Sequence, residues 1–319
     1  MASARGEVEL VAKVIEFGEL TLTEAARLSG ISKSWAWKLA VRLREEGIIT
    51  LERRGGVVIL RPGPSSFRRI LRIGILRASE YPYIIPLARR LEALSSRVDI
   101  VVYDEAYRLA SDLAVGRLHL GMAPAVTLLS FNRLTNGLLG IAAGGSRGGV
   151  GIVEANTGEG HATTMASTME LCAEKSRLPH PRVYARSGRE LLELLGRRTR
   201  YSVVWEPYLY QAKRLGYRVE ECDLPFCCLL GANHTLIPYV EKIQAMFSDA
   251  IAEARKRLGD PVLIEAYSRL IGMDPAIVKA TVASYEFLEE PPVEDLLTLS
   301  SLIQRVVLPE WSIRRALYK

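Results

Sequence analysis

Leu71-Arg-Ile-Gly-Ile-Leu76, running directly into Arg77-Ala-Ser-Glu-Tyr-Pro-Tyr-Ile84, reads as a short buried strand that gives way to a polar turn and then a helix. The run is too short for a buried helix, and Ser79 and Pro82 close it. The alternation repeats outward. A helix is expected at about Ile85–Leu94, a strand at Val98–Tyr103, a helix at about Tyr107–Ala114 and a strand at His119–Met122. Strands recurring around helices of this length imply a parallel α/β sheet. After a further strand, Leu138–Ala143, and the flexible-looking Gly144-Gly-Ser-Arg-Gly-Gly149, a second set begins. It runs Val150–Glu154 as strand, Thr163–Lys175 as helix, Arg182–Ala185 as strand, Gly188–Leu195 as helix and Tyr201–Trp205 as strand. Phe226–Leu230 is expected to carry the chain back to the first set, and from Thr235 onward the pattern is mainly helical.

Upstream the period changes. Val8, Leu10, Val11, Val14, Ile15 and Phe17 recur at helical spacing until Gly18 interrupts them. Thr21-Leu-Thr-Glu24 fits a capping box and opens a short helix to Leu28. Ser32 can cap a third helix running to about Glu46. Ile48–Arg53 and Val57–Leu60 then alternate as two strands around Arg54-Gly-Gly56. On the third helix Ala36, Leu39, Ala40 and Leu43 make one buried stripe. The opposite face carries Lys33, Ser34, Trp37, Lys38 and Arg42 with Trp35 beside them, and Arg53 and Arg54 sit at the hairpin tip.

The chain has 319 residues, 49% of them hydrophobic and 24% charged, which suits two packed domains and excludes wholesale disorder. No stretch approaches the roughly 18 consecutive apolar residues of a membrane span, and the acids near the start do not suit a signal peptide, so a cytoplasmic location is expected. The net charge of +6 is concentrated at the front, where residues 1–70 hold twelve Lys and Arg against eight Asp and Glu. A basic head on a nearly neutral body suggests a polyanion-binding module. Asn and Gln total only seven, which points to a thermophilic source.

The stretch Leu22–Ile49 resembles MarR-type and related archaeal winged-helix regulators. That resemblance implies contact with double-stranded DNA through Ser32, Lys33, Ser34, Trp35, Trp37, Lys38 and Arg42, with Arg53 and Arg54 on the wing. Arg and Lys neutralise phosphates and address guanine edges, and serine at a helix start can bond a phosphate or a base. The two tryptophans depart from the small polar residues usual on that face. The remainder resembles type-2 periplasmic binding proteins of the taurine, alkanesulfonate and nitrate group and the related thiamine-pyrimidine proteins. Arg72-Ile-Gly-Ile75 with Tyr81-Pro-Tyr-Ile84, Val203-Val-Trp-Glu-Pro-Tyr208 and Met273–Ala280 carry that likeness. The expected fold is thus an α+β winged helix over residues 1–61, a linker over 62–70, and an α/β two-lobed periplasmic-binding-protein-like domain over 71–319 with a helical tail. Lobe 1 spans about 71–145 plus 228–319, and lobe 2 about 146–227.

Such folds take a ligand between their lobes, near the carboxyl ends of strands and the starts of helices. The resemblance therefore implies Ser79, Glu80 and Tyr81 after the first strand, and Pro124 and Thr127 after the third. From the opposing lobe it implies Asn156, Thr157, His161, Thr163 and Thr164 around a helix start, plus Trp205 and Glu206. Helix-start N–H groups favour an anion, Trp205 can stack on a flat ring, and the two glutamates favour a donor, so the mixture fits a small polar or zwitterionic organic molecule.

Cys222, Cys227 and Cys228 with His234 have some soft-metal character but lack the paired spacing of a zinc site. On a strand, Cys227 and Cys228 point to opposite faces, so the expectation is buried small side chains, no metal and no cofactor, with a Cys172–Cys222 or similar disulfide left open. His161 with Glu206 or Glu80 is the one acid–base pair that an enzyme would have available, and no enzyme is expected. The functional expectation is a one-component transcriptional regulator whose two-lobed domain senses a metabolite, with a solute-binding module or a cofactor-biosynthesis enzyme as alternatives. The order of domains is similar to that of LysR-type regulators but lacks their long linker helix. A homodimer would therefore use Glu7–Phe17 or the C-terminal helices ending in Trp311–Lys319.

Overall fold

The computed structural model describes residues 2–63 and 70–302. The expected linker therefore lies mostly outside the described residues, as does Trp311–Lys319. The first unit comprises α1 (Ala2–Phe17), β1 (Leu20–Thr21), α2 (Leu22–Leu28), α3 (Lys33–Glu45), β2 (Ile49–Arg54) and β3 (Val57–Pro62). The Thr21 hydroxyl accepts from the Glu24 N–H at 3.2 Å while Glu24 accepts from the Thr21 N–H at 2.9 Å, so two otherwise unpaired donors at the start of α2 are satisfied reciprocally. Ser32 caps α3 by accepting from the Trp35 N–H at 3.2 Å. Ala36, Leu39, Ala40 and Leu43 face inward, and the three strands pair antiparallel in the order β1-β3-β2. Val8, Leu10, Val11 and Val14 of α1 are already buried within the chain, so most of that helix's apolar face is not available to a second copy.

Lobe 1 is built on β4 (Leu71–Leu76), α4 (Ile84–Leu91), β5 (Val98–Tyr103), α5 (Ala106–Ala114), β6 (Leu120–Pro124), α6 (Ala125–Leu134) and β7 (Leu139–Gly148). The chain crosses to lobe 2 through β8 (Val150–Glu154), β9 (His161–Thr164), α7 (Thr168–Lys175), β10 (Arg182–Ala185), α8 (Gly188–Leu194), β11 (Tyr201–Trp205), α9 (Tyr208–Arg214) and β12 (Arg218–Glu221). It returns as β13 (Cys228–Asn233) and ends in α10 (Val240–Arg257), α11 (Pro261–Ile271), α12 (Pro275–Thr281), β14 (Tyr285–Leu288) and α13 (Val293–Leu302). The lobe 1 sheet has the order β14-β7-β13-β6-β4-β5, with β4 parallel to β5 and β6. The lobe 2 sheet has the order β10-β9-β11-β8-β12, with β9 parallel to both neighbours.

Glycines at three positions set this layout. A Cβ at Gly74 would stand 2.5 Å from Leu118 Cδ1 and 3.1 Å from Leu109 Cγ, so its absence lets α5 lie close on the sheet. At the crossover, Gly148 and Gly149 adopt φ of 89° and 65°, a left-handed turn that side chains resist, and the Tyr285 ring fills the space a Cβ at Gly149 would need.

Three expectations are corrected. The helix expected from Thr163 is strand as far as Thr164, and α7 begins only at Thr168. The β-branched Thr163 and Thr164 favour the strand, while Ser167 accepts from the Glu170 N–H at 3.3 Å and so starts the helix later. The return strand begins at Cys228 rather than Phe226. The segment after Thr235 also contains β14, which adds an edge strand to lobe 1.

Candidate functional site

A cavity of about 230 Å³ lies between the lobes. From lobe 1 it is lined by Leu76, Ala78, Glu80 and Tyr81 beyond β4, and by Asp104, Glu105, Ala106 and Tyr107 beyond β5. Cys227 and Cys228, at the entry to β13, also face it. Lobe 2 contributes Thr164 and Met165 after β9, Met169 on α7, Tyr184, Ala185 and Arg186 at the end of β10, and Trp205 at the end of β11. Strand ends and helix starts of both sheets therefore converge on one space, where backbone groups are available and side chains point inward.

The lobes are held against each other around it. The Trp205 indole N–H donates to the Arg77 carbonyl at 3.2 Å, and the Ser79 N–H to the Glu206 carbonyl at 3.4 Å. On the other side the Thr127 hydroxyl donates to the Ala166 carbonyl at 2.6 Å, where Ala166 holds the left-handed φ of 48°. The Tyr267 hydroxyl of α11 donates to the Ala78 carbonyl at 2.6 Å and accepts from the Tyr81 N–H at 3.0 Å, which fixes the turn carrying Glu80.

Glu80 is the chemical centre of the floor. Burial pushes its carboxyl up to about 7, opposed by the hydroxyl bond that Ser146 donates. Arg186 extends from the opposite lobe, and no carboxylate pairs with its side chain among the described residues. Asp104 is tied to Arg77 at 2.6 Å. Trp205, Tyr107, Met165 and Met169 supply aromatic and polarisable walls.

Of the ligand residues expected from sequence, Glu80, Tyr81, Thr164 and Trp205 are brought together at the cavity. Ser79 is buried beside them in the lobe contact, and Thr127 serves the same contact. The others are corrected. Asn156 and Thr157 lie in the loop before β9, at its amino end, whereas the cavity is at its carboxyl end; Thr157 instead donates to the Gly196 carbonyl at 2.7 Å. His161 is held away from the cavity with both ring nitrogens engaged: Arg182 donates to Nε2 at 3.2 Å, so Nδ1 carries the proton shared with the Pro179 carbonyl at 2.7 Å. The acid–base pairing of His161 with Glu80 or Glu206 is therefore not assembled. Pro124 and Thr163 are buried without lining the space, and Glu206 caps α9 by accepting from the Tyr210 N–H at 2.9 Å.

Sequence reasoning missed Asp104, Glu105 and Tyr107 after β5 and Tyr184 and Arg186 at the end of β10, which the strand-end rule used for β4 would also have found. Cys227 and Cys228 are buried, as expected, but they do not point to opposite faces. Because β13 starts at Cys228, strand alternation does not govern Cys227, and the two sulfurs lie 3.6 Å apart at the floor. Cys172 and Cys222 form a disulfide with their Cα atoms 6.1 Å apart.

In the first unit, Lys33, Ser34, Trp37 and Lys38 stand exposed on α3, as does Arg53 on the hairpin. Four residues of the expected nucleic-acid face are otherwise occupied. The Ser32 hydroxyl is spent on the cap, and Trp35 is half-buried against the core. Arg42 pairs with Glu7 at 2.6 Å and Arg54 with Glu52 at 2.6 Å, because each faces a carboxylate of its own unit.

No protein-family model and no curated protein matches the chain. Solved structures do. The periplasmic aliphatic sulphonate binding protein SsuA from Escherichia coli superposes with a TM-score of 0.60 at 18% identity, covering 81% of this chain and 93% of its own. The zinc-bound ligand-binding component of an ABC-type import system from Staphylococcus aureus gives 0.60 at 15% identity, with coverages of 78% and 99%. The periplasmic nitrate-binding protein NrtA from Synechocystis PCC 6803 gives 0.58 at 12% identity, with coverages of 78% and 86%. The two-lobed part has the type-2 periplasmic-binding-protein fold. Within that fold the floor at Glu80 and the wall at Trp205 occupy the cleft between lobes, closed here by the Trp205–Arg77 bond. Among the described residues no helix is long and apolar enough to cross a membrane.

Proposed function

We propose that the two-lobed part binds a small polar or zwitterionic organic molecule in the interlobe cavity without chemically transforming it. The observation that carries this reading is the cavity itself, a space walled by both lobes with Glu80 on one side and Arg186 on the other. Such a pair suits a ligand with one donor-rich end and one anionic end, and the aromatic and thioether walls suit a compact organic body. The SsuA, NrtA and import-component structures are described as binding proteins, which supports a binding role. The test is a thermal-shift screen of the full chain against sulfonates, amino acids, thiamine precursors and nucleobases. Ligand at roughly 100 times its dissociation constant adds about 2.7 kcal/mol of stability, a readable shift. Silence across all four classes with a well-folded protein would remove the reading.

A second reading is favoured by the exposed Lys33, Trp37, Lys38 and Arg53 on an otherwise packed three-helix and hairpin unit. We infer that this unit, residues 1–61, is a winged helix that contacts double-stranded DNA, so that the protein acts in the cytoplasm as a transcriptional regulator, working as a homodimer. Selection of bound duplexes from a random pool tests this inference. Enrichment of one sequence supports it, and recovery of unenriched DNA overturns specific binding.

A further inference from the structure

We propose that the cavity floor is a site for a thiophilic divalent cation of the zinc and cadmium class, held by the Cys227 and Cys228 thiolates and the Glu80 carboxylate. The proposal rests on the cavity being a binding site and names what its floor holds. Cys227 Sγ stands 3.6 Å from Cys228 Sγ and 3.8 Å from Glu80 Oε2, and the donor atoms of the three residues all lie within 4.8 Å of one another. A tetrahedral ion with metal–sulfur bonds of about 2.3 Å and a metal–oxygen bond of about 2.0 Å sets two sulfurs about 3.8 Å apart and a sulfur and an oxygen about 3.5 Å apart. Both pairs that involve Cys227 therefore stand within about 0.3 Å of coordination spacing, and the third lies within 4.8 Å. Two thiolates with one carboxylate select a borderline-soft cation over magnesium or calcium, which take oxygen ligands.

The surroundings of Glu80 suit a ligand carboxylate. It is 1% exposed, and the groups around it, the Ser146 and Tyr81 hydroxyls and the Cys227 and Cys228 thiols, are neutral. Release of the two thiol protons balances the dipositive charge of the ion, so the carboxylate exchanges neutral partners for a direct bond to a cation at no change in the net charge of the cluster. The Tyr81 hydroxyl, fully buried in a residue lining the same cavity, lies beside Glu80 and Cys228 and closes the floor around the three donors. Three protein ligands leave a fourth position open toward the cavity, for a water or a donor atom of the small molecule.

The test uses the full chain carrying Cys172→Ser and Cys222→Ser, so that the floor thiols are the only ones present, reduced and stripped of metal. Cadmium ion alone is titrated in, following the ultraviolet thiolate-to-cadmium absorption, with equilibrium dialysis for stoichiometry. One equivalent should bind, zinc ion should displace it, and further replacement of Cys227 and Cys228 by Ser should abolish the band. Glu80→Gln should weaken binding by at least about tenfold. Should the serine variant fail to fold by circular dichroism, Cys227→Ala and Cys228→Ala singly give the same reading. A folded protein with no band, or a band that survives loss of both floor cysteines, overturns the site. An organic hit in the thermal screen with no cadmium band retires the metal and keeps the cavity reading. Failure of both retires both.

Discussion

Arg117 Nε donates to Glu46 Oε2 at 2.7 Å, joining the loop after α5 of lobe 1 to the end of α3 in the first unit. The same guanidinium bonds Glu7 of α1 and reaches Asp112 of α5 at 3.1 Å. Glu7 and Asp112 are buried, so these carboxylates depend on their cationic partners. The first turn of α5, at Ala106 and Tyr107, lines the cavity. One helix thus has the ligand space at one end and the clamp on the basic unit at the other.

Arg117→Met is expected to lower the unfolding free energy by about 3 kcal/mol, because it leaves Asp112 and Glu46 without this partner and Glu7 with Arg42 alone. Urea denaturation of the full chain measures it. Adding Glu7→Gln should recover part of the loss, since a neutral amide tolerates burial better than an unmatched carboxylate. Strictly additive losses would mean that the two residues do not interact in solution.

The strand–helix alternation was legible because β4, β5, β6 and β11 are apolar runs whose period and length leave little choice. The short edge strand Tyr285–Leu288 was not, since four residues of mixed polarity take strand form only because β7 is there to pair with them. The site was half legible for a related reason. Residues at a strand's carboxyl end could be named once the strand was known, which gave Glu80, Tyr81 and Trp205, whereas Thr164 was named as part of a helix start that is strand. The glycine-rich Asn156–Gly160 loop looked like an anion cradle, yet residue types alone do not say which end of β9 faces the cleft. The two floor cysteines were hidden by a shift in where β13 begins, from Phe226 to Cys228.

His119 predicts how stability follows pH. Burial, and then the positive charge of Arg72, hold its ring at about 4 against an ordinary 6.5, while Nδ1 accepts from the Arg72 N–H at 3.0 Å. The folded chain therefore keeps the ring neutral where the unfolded chain binds a proton. The stabilisation is complete above about 6.5 and is lost as pH falls toward 4, by up to about 3 kcal/mol. His119→Asn retains an acceptor without titrating, so its urea midpoints should fall less than wild type between pH 7.5 and 4.5. Parallel curves for the two proteins would assign the acid sensitivity elsewhere.

Trp205→Phe tests whether the lobes are latched by the indole. Phenylalanine keeps most of the aromatic wall but removes the N–H that reaches the Arg77 carbonyl at 3.2 Å. Stability should drop by about 1 kcal/mol. A small molecule returned by the thermal screen should bind about fivefold more weakly by calorimetry if it selects the latched arrangement. Equal affinity would show that the bond belongs to both ligand-free and ligand-bound forms.

The cations of α3 divide into two groups with opposite expected behaviour. Lys33 and Lys38 are exposed without a carboxylate partner among the described residues, whereas Arg42 spends its guanidinium on Glu7 at 2.6 Å. If α3 lies against duplex DNA, Lys33→Ala with Lys38→Ala should weaken binding to all sequences. It should also reduce the slope of log affinity against log salt by about 2, close to one released counterion per lost phosphate contact. Arg42→Ala should leave that slope unchanged and appear instead in urea denaturation, since its loss loosens the contact between α3 and α1. Fluorescence anisotropy on one labelled duplex across a salt series separates the two groups. A slope that falls for Arg42→Ala and holds for the lysine pair would mean that the ion pair opens on the nucleic acid, and that the exposed face of α3 is turned away from it.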